Sequence, residues 1–135
     1  MIYAVIDTNV LVSALLTKNP EVATVKVVEA LFYGRIIPLY NEEIINEYVD
    51  VLNRPKFHFS KALIEQYLEI FVERGLRAQR ILSKESFPDP KDIVFYEVAL
   101  SKDDAFLVTG NTKHFPNTPI VVTPAEMMDI LQELG

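Results

Sequence analysis

The sequence predicts an α/β domain in three layers, α/β/α, with helices on both faces of a central, mostly parallel sheet of about five strands. Three observations predict it. Short continuous apolar runs of strand length recur along the chain, beginning with IYAVI at Ile2 to Ile6, as they do in strands buried on both faces. Between them lie segments with apolar residues at helical spacing, joined by short links, which is how helices cross over a parallel sheet. Half of the 135 residues are hydrophobic and 24% are charged, a composition able to bury one core, so a single domain over residues 1–135 is expected.

Each element follows in order. Ile2 to Ile6 is the first strand, and Thr8 and Asn9 stand at the start of the helix after it. VATVKVVEALFYG lines up Val22, Val25, Val28, Leu31 and Phe32 and stops at Gly34, where a left-handed turn commonly ends a helix. IIPL, Ile36 to Leu39, is the second strand. Asn41 caps a helix that ends before Pro55, with a main apolar stripe of Ile45, Tyr48, Val49 and Leu52. Ser60 caps the next, which stops at Gly75; these two successive helices break the alternation and form a helical hairpin beside the sheet. A weaker strand pattern lies around Arg77 to Leu82. Pro90 sits in the first turn of the helix in DPKDIVFYEVALS, Phe106 to Thr109 and Pro119 to Thr123 are strands, and a capping box of Thr123 and Glu126 around Pro124 opens the last helix.

Composition excludes several chemistries. With no cysteine there is no disulfide, thiolate nucleophile or zinc-thiolate site, and a reducing, cytoplasmic setting is expected. The apolar run at the N-terminus has no basic lead and soon meets a charge, too short for a signal peptide or a membrane span. A net charge of −6 argues against holding nucleic acid by bulk positive potential. If nucleic acid is the partner, a divalent metal must supply positive charge locally.

The acids point to such a metal. In open α/β sheets the ligand crevice lies beyond the carboxyl ends of the strands at a topological switch point, and Asp7 stands at that end of the first strand. Capping of the next helix is the equal alternative for Asp7. Asp92 shares a helix face with Phe95, Tyr96 and Ala99, inside the stripe expected to meet the sheet, where a solvated charge does not belong. First-turn capping chemistry explains an acid near that position but not its inward direction. Glu47 lies between Ile44 and Val51 on a helix flank and alone reads as surface, while Asn111 follows the FLVTG run at another strand end, where a simple turn is the bland reading. Two carboxylates at ~4 Å and an effective dielectric of ~20 repel by about 4 kcal/mol, and a hard cation such as Mg²⁺ or Mn²⁺ offsets that.

With VIDTNVL, NEEIINEYVDVLNRPKF, DPKDIVFYEVAL and AFLVTGNTKHFP in this order and spacing, the chain resembles the PIN-domain ribonucleases, in particular the toxin-like branch related to VapC toxins of prokaryotic toxin–antitoxin pairs. The resemblance implies hydrolysis of RNA phosphodiester bonds with a metal held by Asp7, Glu47 and Asp92. Many relatives carry an aspartate where this chain has Asn111, whose carbonyl is a further ligand without charge; one bound ion is the reading taken. Thr8, Asn9, Thr109 and Asn111 would orient water or phosphate. A protein antitoxin and a homodimer or higher homo-oligomer are the implied partners, with no membrane. His58 and His114 read as surface residues, Lys113 and His114 as possible contacts to the substrate backbone, and Arg54, Lys56 and Lys91 as a basic rim or solvated charge. Asn9 disfavours an aspartyl phosphatase, which usually carries a second acid there. A catalytically impaired PIN-like RNA-binding or scaffold protein is the alternative, motivated by Asn111 and the acidic charge.

Overall fold

The computed structural model describes residues 1–134. Five strands, β1 (Ile2–Ile6), β2 (Ile36–Tyr40), β3 (Leu76–Arg77), β4 (Phe106–Val108) and β5 (Val121–Val122), form one sheet in the order β3-β2-β1-β4-β5. Every pairing is parallel, with Ala4 opposite both Pro38 and Phe106 in the central strand. The chain moves outward from β1 through β2 to β3, then returns to the other side of β1 for β4 and β5. The switch point therefore lies between the carboxyl ends of β1 and β4.

Six helices cover this sheet: α1 (Thr8–Leu16), α2 (Ala23–Phe32), α3 (Glu42–Leu52), α4 (Lys61–Arg74), α5 (Ile93–Ala99) and α6 (Pro124–Leu134). α2 packs on α1 and α6, while α3 packs on α4 and α5, giving the three layers. The expected caps form. Asn41 accepts from the Ile44 amide at 2.9 Å, Ser60 from Leu63 at 3.2 Å, and Thr123 and Glu126 cap each other's amides at 3.1 and 2.9 Å. Gly34, at φ +76°, donates to Leu31 while Arg35 reaches back to Ala30, which closes α2 in a Schellman turn.

Ala4, Val5, Ile6, Leu39, Leu107 and Val108 are fully enclosed at the centre of the sheet. Four expectations change. The weak strand around Arg77 to Leu82 is only the pair Leu76–Arg77, and the residues after it are held by the Ala78 and Ile81 amides on the Tyr40 and Glu97 carbonyls and by the Glu97 side chain; β5 is likewise shorter than Pro119 to Thr123. On α3 the buried face is Ile44, Tyr48, Val51 and Leu52, whereas Val49 is 39% exposed. The stripe is rotated because Tyr48 drives into the core, its hydroxyl donating to the Ile6 carbonyl and its ring packing on Phe71 and Phe95. α5 begins only at Ile93, after a 3₁₀ turn at Pro90–Asp92, and from Val94 to Ala99 it is buried all round, not along one stripe.

Candidate active site

β1 does not end loosely. The Asp7 amide continues the ladder to the Val108 carbonyl at 2.9 Å, and the Thr109 amide continues it to Val122 at 2.9 Å, so both residues leave the switch point on fixed backbone. Asp7 occupies the N-cap position of α1, but its side chain makes no capping hydrogen bond there. Its Oδ2 accepts from the Thr109 hydroxyl at 2.8 Å, and the same hydroxyl oxygen accepts from the Asn111 amide at 3.0 Å. Asn9 ties the two strand ends together from the first turn of α1, accepting from the Gly110 amide at 3.2 Å.

These residues open onto a cleft of about 690 Å³. Asp7, Thr8, Asn9, Asp92 and Asn111 line it together, while buried Thr109 stands directly behind Asp7. Glu47 does not line it; half-buried on α3, it sits between the buried Ile44 and Val51, near enough for its charge to raise the pKa of Asp92. Among the described residues no three His, Cys, Asp or Glu side chains close into a metal-binding group by themselves. Asp92 reaches the cleft from the junction of the 3₁₀ turn and α5, its side chain 17% exposed, not from a helix stripe against the sheet.

Burial dominates the electrostatics. It pushes Asp7 up to about 6 from its ordinary 3.8, against the Thr109 hydrogen bond and with help from the Asp92 charge. Burial also raises Asp92, with Asp89 and Glu47 adding to it and His114 opposing. Nδ1 of His114 stands 3.5 Å from Asp92 Oδ2, yet that oxygen is buried without a hydrogen-bond partner, as is the Thr8 hydroxyl oxygen in the same cleft. Two inward oxygens without partners, beside two carboxylates whose charge burial disfavours, suit a hard divalent cation bound through oxygen.

Other cleft residues have no local sequence signature. Asp89 looks like a cap, and it does accept from the Lys91 amide at 3.0 Å, but it also borders the cleft. His114 meets Asp92 only because the loop after β4 folds over the start of α5. The apolar side is formed by Val12, Leu16, Val51 and Phe57 from three separate segments.

The family model of the PIN domain matches residues 3–113, a span holding every cleft residue named above except His114. The chain belongs to the PIN domain family. PIN domains are generally nucleases that act on RNA and generally use divalent metals. No curated protein matches the chain. Within this PIN domain, no helix of the described residues is long and apolar enough to cross a membrane.

Proposed function

We propose that this PIN domain, acting as a single domain, is a metal-dependent endoribonuclease and the toxin of a toxin–antitoxin pair in the cytoplasm. One observation carries the nuclease reading: Asp7 and Asp92, both raised by burial, share one cleft at the switch point, where Asp92 Oδ2 and the Thr8 hydroxyl oxygen are buried without partners. Asp7 and Asp92 would hold Mg²⁺ or Mn²⁺, with Glu47 acting through water and Asn111 through its carbonyl. A divalent ion held there would supply polarisation of a phosphoryl oxygen and a lowered pKa for a bound water. Thr109 fixes the Asp7 carboxylate, Asn9 holds the Gly110 backbone against α1, and Thr8 and Asn111 present an oxygen and an amide to water or phosphate.

The test is Mn²⁺ binding by calorimetry beside cleavage of an RNA pool. Asp7→Asn and Asp92→Asn should each lower both by at least 100-fold; cleavage that persists unchanged removes the mechanism. Asn111 and the acidic net charge favour the second reading, a PIN-like RNA-binding scaffold, which predicts RNA binding without metal-dependent cleavage.

The toxin reading rests on the resemblance of DTN, NEY and DPKD to the toxin-like branch. Expression should arrest bacterial growth for the parent chain and not for Asp7→Asn; equal growth would overturn the toxin role while leaving the nuclease. A homodimer is supported by the exposed Val72 and Leu76 at the end of the α3–α4 unit. A monomer by light scattering at micromolar concentration would exclude it.

A further inference from the structure

Tyr48 carries a hydroxyl into a part of the core where its aromatic neighbours are phenylalanines. It is 0% exposed, and its ring centre lies 4.8 Å from that of Phe71 on α4 and 6.4 Å from that of Phe95 on α5. A hydroxyl at that depth is costly unless it is bonded, and packing alone would be served by a bare ring. It donates to the Ile6 carbonyl oxygen, in the peptide unit that leads into Asp7.

That peptide is held on both edges. Its amide side, the Asp7 N–H, donates to Val108 beside β4 at 2.9 Å. Its carbonyl side lies past the paired register of β1 and β2, which ends at Ala4 and Pro38, and Tyr48 of α3 meets it there. Because a peptide unit is planar, bonds on its opposite edges fix its rotation, and with it the direction in which the Asp7 side chain leaves the backbone. The Thr109 hydroxyl then fixes the far end of that side chain at Oδ2.

The same tyrosine touches the elements that bear the other two acids. Glu47 precedes it on α3, and Phe95 lies one turn after Asp92. Ligands work only when held within about 0.5 Å of the productive geometry, by neighbours that are themselves locked. We propose that Tyr48 is the positioning residue of the acid site: its hydroxyl orients the Asp7 peptide, and its ring, packed on Phe95, sets the spacing of α3 and α5 and so of Glu47 and Asp92. This rests on the metal-dependent nuclease reading. Being fully enclosed, Tyr48 itself touches neither metal nor substrate.

The experiment is Tyr48→Phe in the full chain, which keeps the ring and removes the hydroxyl. Calorimetry should still count one Mn²⁺ per chain, with the dissociation constant weakened about 10-fold. At saturating Mn²⁺, kcat on RNA should fall while KM stays at the parent value. Hydrogen exchange without metal should show the Asp7 amide about 10-fold faster relative to the Val5 amide of the same strand. Phe95→Leu, which removes the ring contact and keeps an apolar side chain, should also weaken Mn²⁺ binding, and it decides the case if Tyr48→Phe does not fold: an unchanged constant there overturns the role. Leu131→Ala in α6, in the other helical layer, lowers stability and should leave the Mn²⁺ constant at the parent value. For Tyr48→Phe, an unchanged constant, fewer sites with an unchanged constant, or a weakening matched by Leu131→Ala overturns the role. A parent chain that neither binds Mn²⁺ nor cuts RNA sinks the nuclease reading instead. The exchange ratio of Asp7 to Val5 then decides alone whether Tyr48 orients that peptide, and a ratio equal in parent and variant rejects it.

Discussion

Asp7 is 7% exposed and carries its carboxylate beside a second acid, an arrangement that disfavours its own ionisation. Native Asp7 holds its proton to about pH 6, while the unfolded chain releases it near the ordinary 3.8. Between those values the folded state binds the extra proton, so stability is full below the lower value and falls as pH rises through the upper one. The shift corresponds to about 3 kcal/mol. With a chelator present, Asp7→Asn should therefore flatten the fall in stability between pH 4 and 7 and raise stability at pH 7 by ~1–3 kcal/mol; denaturant melts across that range would show it, and a variant less stable than the parent at pH 7 would refute it. This residue was half legible in the sequence. The end of a local apolar run marked its position and left capping and catalysis equal, while the Thr109 hydrogen bond, formed across 102 residues, was not legible locally. Asp92 was legible as an acid in an odd place while Glu47 alone read as surface, and only the packing of α3 and α5 brings Asp92 into the cleft and leaves Glu47 out of its lining.

Elements defined by long apolar runs were legible because burial on both faces writes itself locally, which is why β1, β2 and the capped helices fall where the pattern puts them. β3 and the residues after it were not, since what holds them is remote. Glu97, 2% exposed on α5, accepts from Arg80 at 2.8 Å and from the Ser83 amide at 2.6 Å, and Arg80 reaches on to Glu43 of α3 at 2.9 Å. Burial would raise the Glu97 carboxyl, but the Ser83 amide and Arg80 outweigh it and hold it below its ordinary value. These bonds fasten the segment leading to Asp89 and Asp92, so Glu97→Gln should cost about 2 kcal/mol and loosen that segment. Hydrogen exchange confined to residues 78–89 is the expected signature; a global loss with no local opening would contradict the tether. Gly75 is a second remote constraint. A Cβ there would fall within 3.0 Å of the carbonyl oxygens of Phe71 and Pro38, where the end of α4 meets β2. Gly75→Ala should lower stability by ~1–3 kcal/mol, read from its denaturant midpoint, and an unchanged midpoint would show that α4 can move off β2.

At the scale of the whole molecule, the switch point gathers buried negative charge in a chain whose net charge is already −6, so the free protein folds against its own function. A ligand that binds only the folded state returns stability by mass action, about 2.7 kcal/mol at 100 times its dissociation constant. For a chain of this length that is a rise in melting temperature of about 10 °C. Mn²⁺ should therefore raise the melting temperature of the parent chain at pH 7 and should leave Asp92→Asn nearly unmoved, although that variant keeps a net charge of about −5. General screening makes the opposite forecast: KCl at matched ionic strength would then raise both chains alike. A shift that follows ionic strength in both chains would mean the acids are only a repulsive surface. A shift specific to the divalent ion and lost with one buried carboxylate would mean that the fold holds these charges together for a cation to join.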